Sequence, residues 1–328
     1  MIEYMRESRI DIVACSDKWF VMPTGVMMYS VCVNNPDVEI VFHVIHDDSV
    51  TSKDRRDLEE TVTVFKGKSI AFYHVDVTKF PSFPNITMLS HVTQASYYRL
   101  MLPEILPKSI RKVLYLDGDI IVRHSLLPLW DTNLKDFAVA AVPDGSGGEL
   151  EHYHRLNIPP ELGYFNAGVV LINLDYWREH NVVKDFFRIL QEYAGKLKFH
   201  DQDVLNIVFS DNKVVLPIKY NLTGGSLEKI PHYDYKKYEK EVEEARKDPV
   251  IVHYTVEKPW AGYLRHPRHP FSSTFFKYQS QTKWKGVKID RRPFKLRVIN
   301  YIADTLRKYG LMSQVPSWYE YIEIARID

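Results

Sequence analysis

The feature that most constrains the fold is an alternation of short apolar runs with amphipathic, helix-like segments along most of the chain. Strands that alternate with helices predict a mostly parallel sheet flanked by helices, because parallel strands need crossover connections. The strand-like runs are 10–16, 38–48, 69–76, 112–116, 137–144, 167–174, 213–218 and 249–255. Helical patterns occupy 51–67, where Thr51 and Asp54 have the spacing of a capping box, 93–106 as far as Pro103, 181–195 and 202–209.

Length, charge and cysteine content narrow the classes of protein. The 328 residues, 45% of them hydrophobic, suit one large α/β domain with an appendage. A formal net charge of +1 argues against a dedicated nucleic-acid-binding protein. Cys15 and Cys32 do not make a disulfide framework, and no apolar run reaches the roughly 20 residues of a membrane span. We therefore expect an intracellular, cytoplasmic protein.

Two acids one residue apart, Asp117 and Asp119, follow the buried run 112–116. In open α/β sheets, ligands bind beyond the carboxyl ends of the strands. Alternate residues of an extended backbone project to the same side, and Gly118 between them leaves room for a ligand. Two carboxylates suit Mg²⁺ or Mn²⁺, particularly a cation that carries a diphosphate. An alternative is a hairpin turn, which Asp-Gly between apolar runs strongly favours, and the triplet alone does not decide.

Three further stretches place polar or small side chains beside predicted strands and helices: "GYFNAGVVLINLDYW" (163–177), "HDQDVLN" (200–206) and "IVHYTVEKPW" (251–260). In the first, Asn166 and the two small residues before the strand would let a sugar or phosphate approach, unless they only form a turn. In the second, N-terminal capping explains one acid but not two acids and an amide together. In the third, His253 and Lys258 follow a buried strand, where a structural histidine and a solvated lysine are the alternatives.

Together with "DIVACSD", "SYYRL", "VLYLDGDIIV" and "PLWDT", these stretches resemble, in this order, retaining glycosyltransferase family 8. That family includes bacterial lipopolysaccharide galactosyl- and glucosyltransferases and glycogenin, and the resemblance runs from about residue 10 to residue 260. It implies a Rossmann-like GT-A domain, which we assign to 1–276. Residues 277–328 lack the family motifs and are expected to form a basic, partly helical extension. The resemblance also implies a Mn²⁺ (or Mg²⁺) cofactor, a UDP-glucose or UDP-galactose donor, and α-linked transfer to a saccharide or lipid-linked saccharide acceptor.

The resemblance further implies a role for each matching residue. The metal ligands would be Asp117, Asp119 and His253. The donor would be held by Asp17 at the uracil, Phe20 stacked on it, Arg99 at the sugar and diphosphate, and Gly118, Asp119, Asn166, Ala167, Asp201, Gln202 and Lys258. The catalytic candidates are Gln202, beneath the anomeric carbon, and Asp201, which would fix sugar hydroxyls.

The sequence departs from the family pattern before Lys258. The run Thr255-Val256-Glu257 stands where the family usually has a glycine whose backbone contacts phosphate, and a β-branched residue disfavours positive φ. This departure favours, as an alternative, a non-catalytic nucleotide-sugar or carbohydrate-binding protein of the same fold. A metal-dependent nucleotidyltransferase or phosphohydrolase could use the same acids, but "CSDKWFVMPTG" lacks the Gly-rich phosphate loop that nucleotidyltransferases usually have.

Positive charge is concentrated in residues 277–310, which carry ten Lys or Arg against two acids. Within them, apolar residues recur at roughly helical spacing at Phe294, Leu296, Val298, Ile299, Ile302 and Leu306. A basic amphipathic helix is typical of binding to a membrane surface, and packing on the catalytic domain is the alternative. The first interpretation predicts peripheral contact with the inner face of a membrane.

Overall fold

The computed structural model describes residues 9–76, 94–144, 150–227, 235–255, 257–261, 269–289 and 294–313. The strands in these ranges are β1 (Arg9–Ser16), β2 (Glu39–His46), β3 (Lys68–His74), β4 (Lys112–Leu116), β5 (Ile120–Val122), β6 (Val139–Pro143), β7 (Phe165–Asn173), β8 (Lys213–Val215) and β9 (Ile251–His253). The α-helices are α1 (Val21–Asn34), α2 (Ser52–Thr63), α3 (Leu102–Ile105), α4 (Leu127–Trp130), α5 (Leu150–Leu156), α6 (Leu174–Glu179), α7 (Val182–Glu192), α8 (His200–Phe209), α9 (Tyr235–Lys247), α10 (Ser272–Gln279) and α11 (Phe294–Lys308). Short 3₁₀ helices span Gln94–Met101, Pro160–Leu162, Ile218–Tyr220 and Gly225–Leu227.

Seven strands form one sheet in the order β3-β2-β1-β4-β7-β6-β8. Only β7 runs against its neighbours, β4 and β6, and the other pairs in this sheet are parallel. The predicted mostly parallel sheet with flanking helices is therefore confirmed. Successive residues of β1 belong to two different cores, Ile12 and Ala14 to one and Val13 and Cys15 to the other. Burial of both faces explains why the strands have continuous apolar sequences.

Local sequence signals correctly predict the start of α2, but they fail to predict where the helical segment within 93–106 ends. Thr51 and Asp54 form the predicted capping box at the start of α2. The helical pattern over 93–106 resolves instead into a 3₁₀ helix followed by α3, so the prediction that Pro103 ends the helix is wrong. Pro103 lies in the first turn of α3, where a missing N–H costs no helical hydrogen bond.

The segment 117–119 connects two different sheets. β4 pairs with β1 and β7, whereas β5 pairs antiparallel with β9 in a separate two-stranded sheet. The hairpin alternative for this segment is therefore wrong, because the strands on its two sides do not pair with each other. The register of the second sheet sets Ile120 opposite His253 and so brings the histidine beside the two acids.

The chain beyond residue 276 has a packed part and an exposed part. Tyr278 and Gln279 are buried, and Trp284 packs so closely on α1 that a Cβ on Gly25 would lie 2.1 Å from its Cζ3. Helix α11 forms where the apolar spacing predicts it, and six of its large apolar side chains are exposed: Phe294, Val298, Ile299, Tyr301, Ile302 and Leu306. A domain boundary at residue 276 stays a prediction. Within the described ranges, no helix has the length and apolar character needed to cross a bilayer.

Candidate active site

Asp117, Asp119 and His253 converge at the carboxyl end of β4, where each offers a ligand atom within 4.8 Å of the others. The Nε2 atom of His253 lies 3.3 Å from Asp119 Oδ1 and 3.8 Å from Asp117 Oδ2. Burial by itself would raise the pKa of Asp119, but Lys258 and His253 outweigh it and hold that pKa below its ordinary value of 3.8. Two carboxylates and an imidazole are a suitable ligand set for a divalent cation.

Gly168 in β7 closes one side of this cluster. A Cβ at this position would lie 2.2 Å from His253 Cε1 and 2.9 Å from Asp117 Oδ2, so only glycine fits. Its carbonyl oxygen accepts a hydrogen bond from the Asp117 N–H at 2.8 Å. The expectation that Asn166, Ala167 and Gly168 precede the strand is wrong, since all three lie within β7.

Arg99 is buried and holds Asp117 in place. Its Nη2 donates to Asp117 Oδ1 at 2.7 Å and its Nη1 donates to the Ala167 carbonyl oxygen. The guanidinium lies 4.0 Å from the ring centroid of Tyr115, whose hydroxyl also donates to Asp117 Oδ1, at 2.9 Å. Burial opposes the charge, but Asp117 and Asp201 raise the pKa of Arg99 above its usual value. The arginine therefore stays charged and orients the carboxylate.

Asp201, in the first turn of α8, presents a carboxylate oxygen to the site. Its Oδ2 lies 2.8 Å from Arg99 Nε, but that N–H donates to the Ser96 carbonyl oxygen at 3.0 Å, so the contact is ionic. Among the described residues, Oδ2 accepts no hydrogen bond although it is buried. Burial raises the pKa of Asp201 to about 6, with Arg99 opposing and the charge of Asp117 adding to the rise. A buried acceptor of this kind suits a ligand hydroxyl.

The second acid of "HDQDVLN", Asp203, has a structural role. Its carboxylate accepts hydrogen bonds from the Phe199 N–H at 2.9 Å and from the Tyr164 hydroxyl at 2.7 Å, and it pairs with Arg155 at 2.8 Å. The capping interpretation therefore holds for Asp203. It does not hold for Asp201, which faces the arginine.

A polar network joins the half-buried Gln202 to three buried residues, Asn166, Asp144 and Asn221, of which the last two belong to no distinguishing motif. Asp144 Oδ2 accepts hydrogen bonds from Gln202 Nε2 at 2.9 Å and from Asn166 Nδ2 at 3.1 Å. Asn221 Nδ2 donates to Asn166 Oδ1 at 2.8 Å, and Asn221 Oδ1 lies 3.0 Å from His253 Nδ1. Asp144 directly follows β6, which is a positional signal, whereas nothing in the sequence around Asn221 marks it.

The predicted nucleotide end lies where β1 meets α1. Asp17 Oδ1 accepts hydrogen bonds from the Trp19 and Phe20 N–H groups, at 2.8 and 3.1 Å. At Gly118 a Cβ would lie 2.5 Å from Thr24 Oγ1 and 3.1 Å from Phe20 Cδ1. The glycine therefore permits close packing on α1, and contact of Gly118 with a donor stays a prediction. Contacts of Asp17 and Phe20 with uracil stay a prediction.

Lys258 lies at the metal-ligand cluster. Its Nζ contacts Asp119 Oδ2 and donates to the Tyr254 carbonyl oxygen. The position of the departure from the family pattern, Val256, lies outside the described residues. The site thus combines the Asp117 and Asp119 carboxylates with the His253 imidazole, and Lys258 contacts Asp119. Arg99 and the buried Asp201 carboxylate lie beside this cluster.

Residues 11–263 match the model of glycosyl transferase family 8. The chain is 31% identical to general stress protein A of Bacillus subtilis over 289 residues, which cover 86% of this chain and 98% of that protein. It is 30% identical over 276 residues to the lipopolysaccharide 1,3-galactosyltransferase of Salmonella typhimurium, covering 82% and 77% of the two chains.

The crystal structure of galactosyltransferase LgtC in complex with donor and acceptor sugar analogs has the same fold. It matches with a TM-score of 0.72 and 28% sequence identity, and the match covers 88% of this chain and 99% of that one. The fold, the family model and the relatives agree. The chain therefore belongs to glycosyl transferase family 8, has the GT-A fold and is a hexosyltransferase.

Proposed function

We propose that this enzyme transfers glucose or galactose from a UDP-hexose to a saccharide or lipid-linked saccharide, in a Mn²⁺- or Mg²⁺-dependent reaction that forms an α linkage. The observation that carries the proposal is the convergence of Asp117, Asp119 and His253 at the ligand-binding edge of the sheet. The names of the Salmonella relative and of LgtC support a hexose donor and a saccharide acceptor. Family membership argues against the nucleotidyltransferase and the non-catalytic alternatives.

The residues present fit a divalent cation. Asp117, Asp119 and His253 supply oxygen and nitrogen ligands, and the missing side chain of Gly168 lets them come together. These three residues would hold the cation, which supplies positive charge that stabilises the departing diphosphate. Lys258 would add a second positive charge on the same side.

Asp201 and Gln202 bear on the stereochemistry of transfer. The Oδ2 of Asp201, which accepts no hydrogen bond from the described residues, would accept a sugar hydroxyl, and its ion pair with Arg99 keeps this carboxylate in position. The Gln202 amide is engaged at both ends, by the Ala167 N–H and by Asp144, and an amide is a poor nucleophile.

We therefore propose same-face attack by the acceptor. The bond from the acceptor oxygen to the anomeric carbon forms as the bond from that carbon to the phosphate oxygen breaks. The leaving phosphate oxygen takes the acceptor proton. Isolation of a covalent glycosyl adduct on Asp201 would contradict this route.

A panel of UDP-sugars tests the function. With Mn²⁺ present, we expect UDP release from UDP-glucose or UDP-galactose, and we expect a chelator to abolish it. Asp48→Asn is the control for substitutions of the metal-ligand acids and should release UDP at the full rate. Its carboxylate side chain is 97% exposed and lies outside the cluster. UDP release that is unaffected by the chelator, or no release from any UDP-sugar, would overturn the proposal.

We also propose that the protein is cytoplasmic and touches the inner face of a membrane through α11. Phe294, Tyr301 and Ile302 on this helix are 73%, 75% and 52% exposed. Lys and Arg side chains are interspersed among them, and residues 277–310 carry ten basic residues against two acids. An exposed apolar helix face accompanied by cations matches an anionic bilayer surface.

Removing the apolar contacts should release the protein from anionic vesicles. We expect the double variant Phe294→Asp, Ile302→Asp to bind at least about tenfold more weakly, because two apolar side chains no longer enter the interface. Cosedimentation with vesicles of anionic lipid measures this. Val64→Asp is the matched control, since Val64 is 74% exposed but lies at the end of α2. Equal binding by the double variant would contradict membrane contact through α11.

A further inference from the structure

Asn221 is a buried amide within hydrogen-bond distance of the metal-ligand histidine. It is 1% exposed, and its Oδ1 lies 3.0 Å from His253 Nδ1. We propose that Asn221 is a positioning residue that fixes His253 as a ligand through Nε2. The inference rests on the proposed metal-dependent function and names a residue that tunes the same site.

The donor and the acceptor of each hydrogen bond in the network can be assigned in turn, starting from Asp144. Asp144 carries a carboxylate, which only accepts, so Asn166 must turn Nδ2 toward it at 3.1 Å. Asn166 Oδ1 therefore faces the other way, where it accepts from the Gly168 N–H at 2.9 Å and from Asn221 Nδ2 at 2.8 Å. These bonds fix which atom of the Asn221 amide is oxygen.

The orientation of Asn221 in turn fixes the tautomer of His253. Because Asn221 Oδ1 can only accept, the proton of the imidazole must be on Nδ1. Nε2, which faces Asp117 and Asp119, then carries the lone pair that a metal requires. A chain of three hydrogen bonds thus links Asp144, which also holds Gln202, to the metal ligand.

The backbone keeps Asn221 at this distance from His253. The Leu222 N–H donates to the Ile251 carbonyl oxygen at 3.0 Å, and the His253 N–H donates to the Leu222 carbonyl oxygen at 3.0 Å. The segment after Asn221 therefore runs beside β9 in a fixed register. Since both side chains are buried, a lost hydrogen bond at this point has no solvent replacement.

Two substitutions of Asn221 separate its role from general stability. Asn221→Leu removes the acceptor and should weaken Mn²⁺ binding by about 10- to 100-fold, the usual effect of losing such a partner. Asn221→Asp still accepts from Nδ1, although its second oxygen cannot donate to Asn166 Oδ1 as the amide does, and it should bind Mn²⁺ more tightly than Asn221→Leu. Mn²⁺ affinity is measured by electron paramagnetic resonance without substrate, on protein whose folding is verified by thermal unfolding.

Asn35→Leu is the matched control. Asn35 is equally buried, and its amide bonds the Val31 carbonyl and the Leu126 N–H outside the cluster, so Mn²⁺ affinity should not change.

If Asn221→Leu does not fold, ¹⁵N chemical shifts of His253 in the unmodified protein give the tautomer, expected to be protonated on Nδ1. Unchanged Mn²⁺ affinity in Asn221→Leu, or a neutral His253 ring with its proton on Nε2 instead of Nδ1, would overturn this inference. Failure of the unmodified protein to bind Mn²⁺ would instead overturn the proposed function.

Discussion

Asp119→Asn should lower the rate of UDP release by about 10³-fold, because a carboxylate ligand lost from a metal that stabilises the leaving group costs several kcal/mol of transition-state stabilisation. The substitution keeps the size of the side chain and removes its charge. Steady-state UDP release from the preferred donor, at saturating Mn²⁺, measures the effect. Asp48→Asn, an exposed acid outside the cluster, should retain the full rate.

The same substitution also affects Lys258 and His253, which pair with Asp119. Thermal unfolding therefore has to accompany the rate, so that lost folding is not mistaken for lost chemistry. A folded Asp119→Asn protein that releases UDP within tenfold of the unmodified rate would show that this carboxylate does not hold the metal.

Gly168→Ala should weaken Mn²⁺ binding by at least about tenfold and destabilise the fold by about 1–3 kcal/mol, the usual cost of overpacking. The added methyl group would lie 2.2 Å from His253 Cε1, and the ring cannot retreat without losing its hydrogen bond to Asn221. Mn²⁺ titration and chemical denaturation measure the two effects.

Gly25→Ala is the control for overpacking at a distance from the metal ligands. Its added methyl group would lie 2.1 Å from Trp284 Cζ3, so the fold should lose stability while Mn²⁺ affinity stays unchanged. Equal Mn²⁺ affinities in Gly168→Ala and the unmodified protein would mean that Gly168 does not shape the metal site.

The sequence predicts the elements of the main sheet well, because each signal is local. Apolar runs mark all seven strands of that sheet, β1 to β4 and β6 to β8, as well as β9 of the second sheet, and the Thr51–Asp54 pair marks the start of α2. The sequence alone does not assign separate roles to Asp201, Asp203 and Gln202. The acids look alike in the sequence, and only the tertiary partners separate a structural carboxylate from one facing the site.

Other features of the site depend on contacts between distant segments. The pairing of β5 with β9 brings His253 to Asp119 across more than one hundred residues, and no local pattern encodes that register. Asn221 becomes recognisable only when its hydrogen bonds to Asn166 and His253 are known. The close packing of Gly118 against Thr24 is a further contact that the sequence does not show.

The metal site is tested most directly by the position of Mn²⁺ in crystals grown with MnCl₂ and UDP, located by anomalous scattering. We predict a peak within coordination distance of Asp117, Asp119 and His253 Nε2, with the diphosphate bound to the same ion. A structure with UDP bound but with the anomalous peak away from these three side chains, or with no peak, would contradict it.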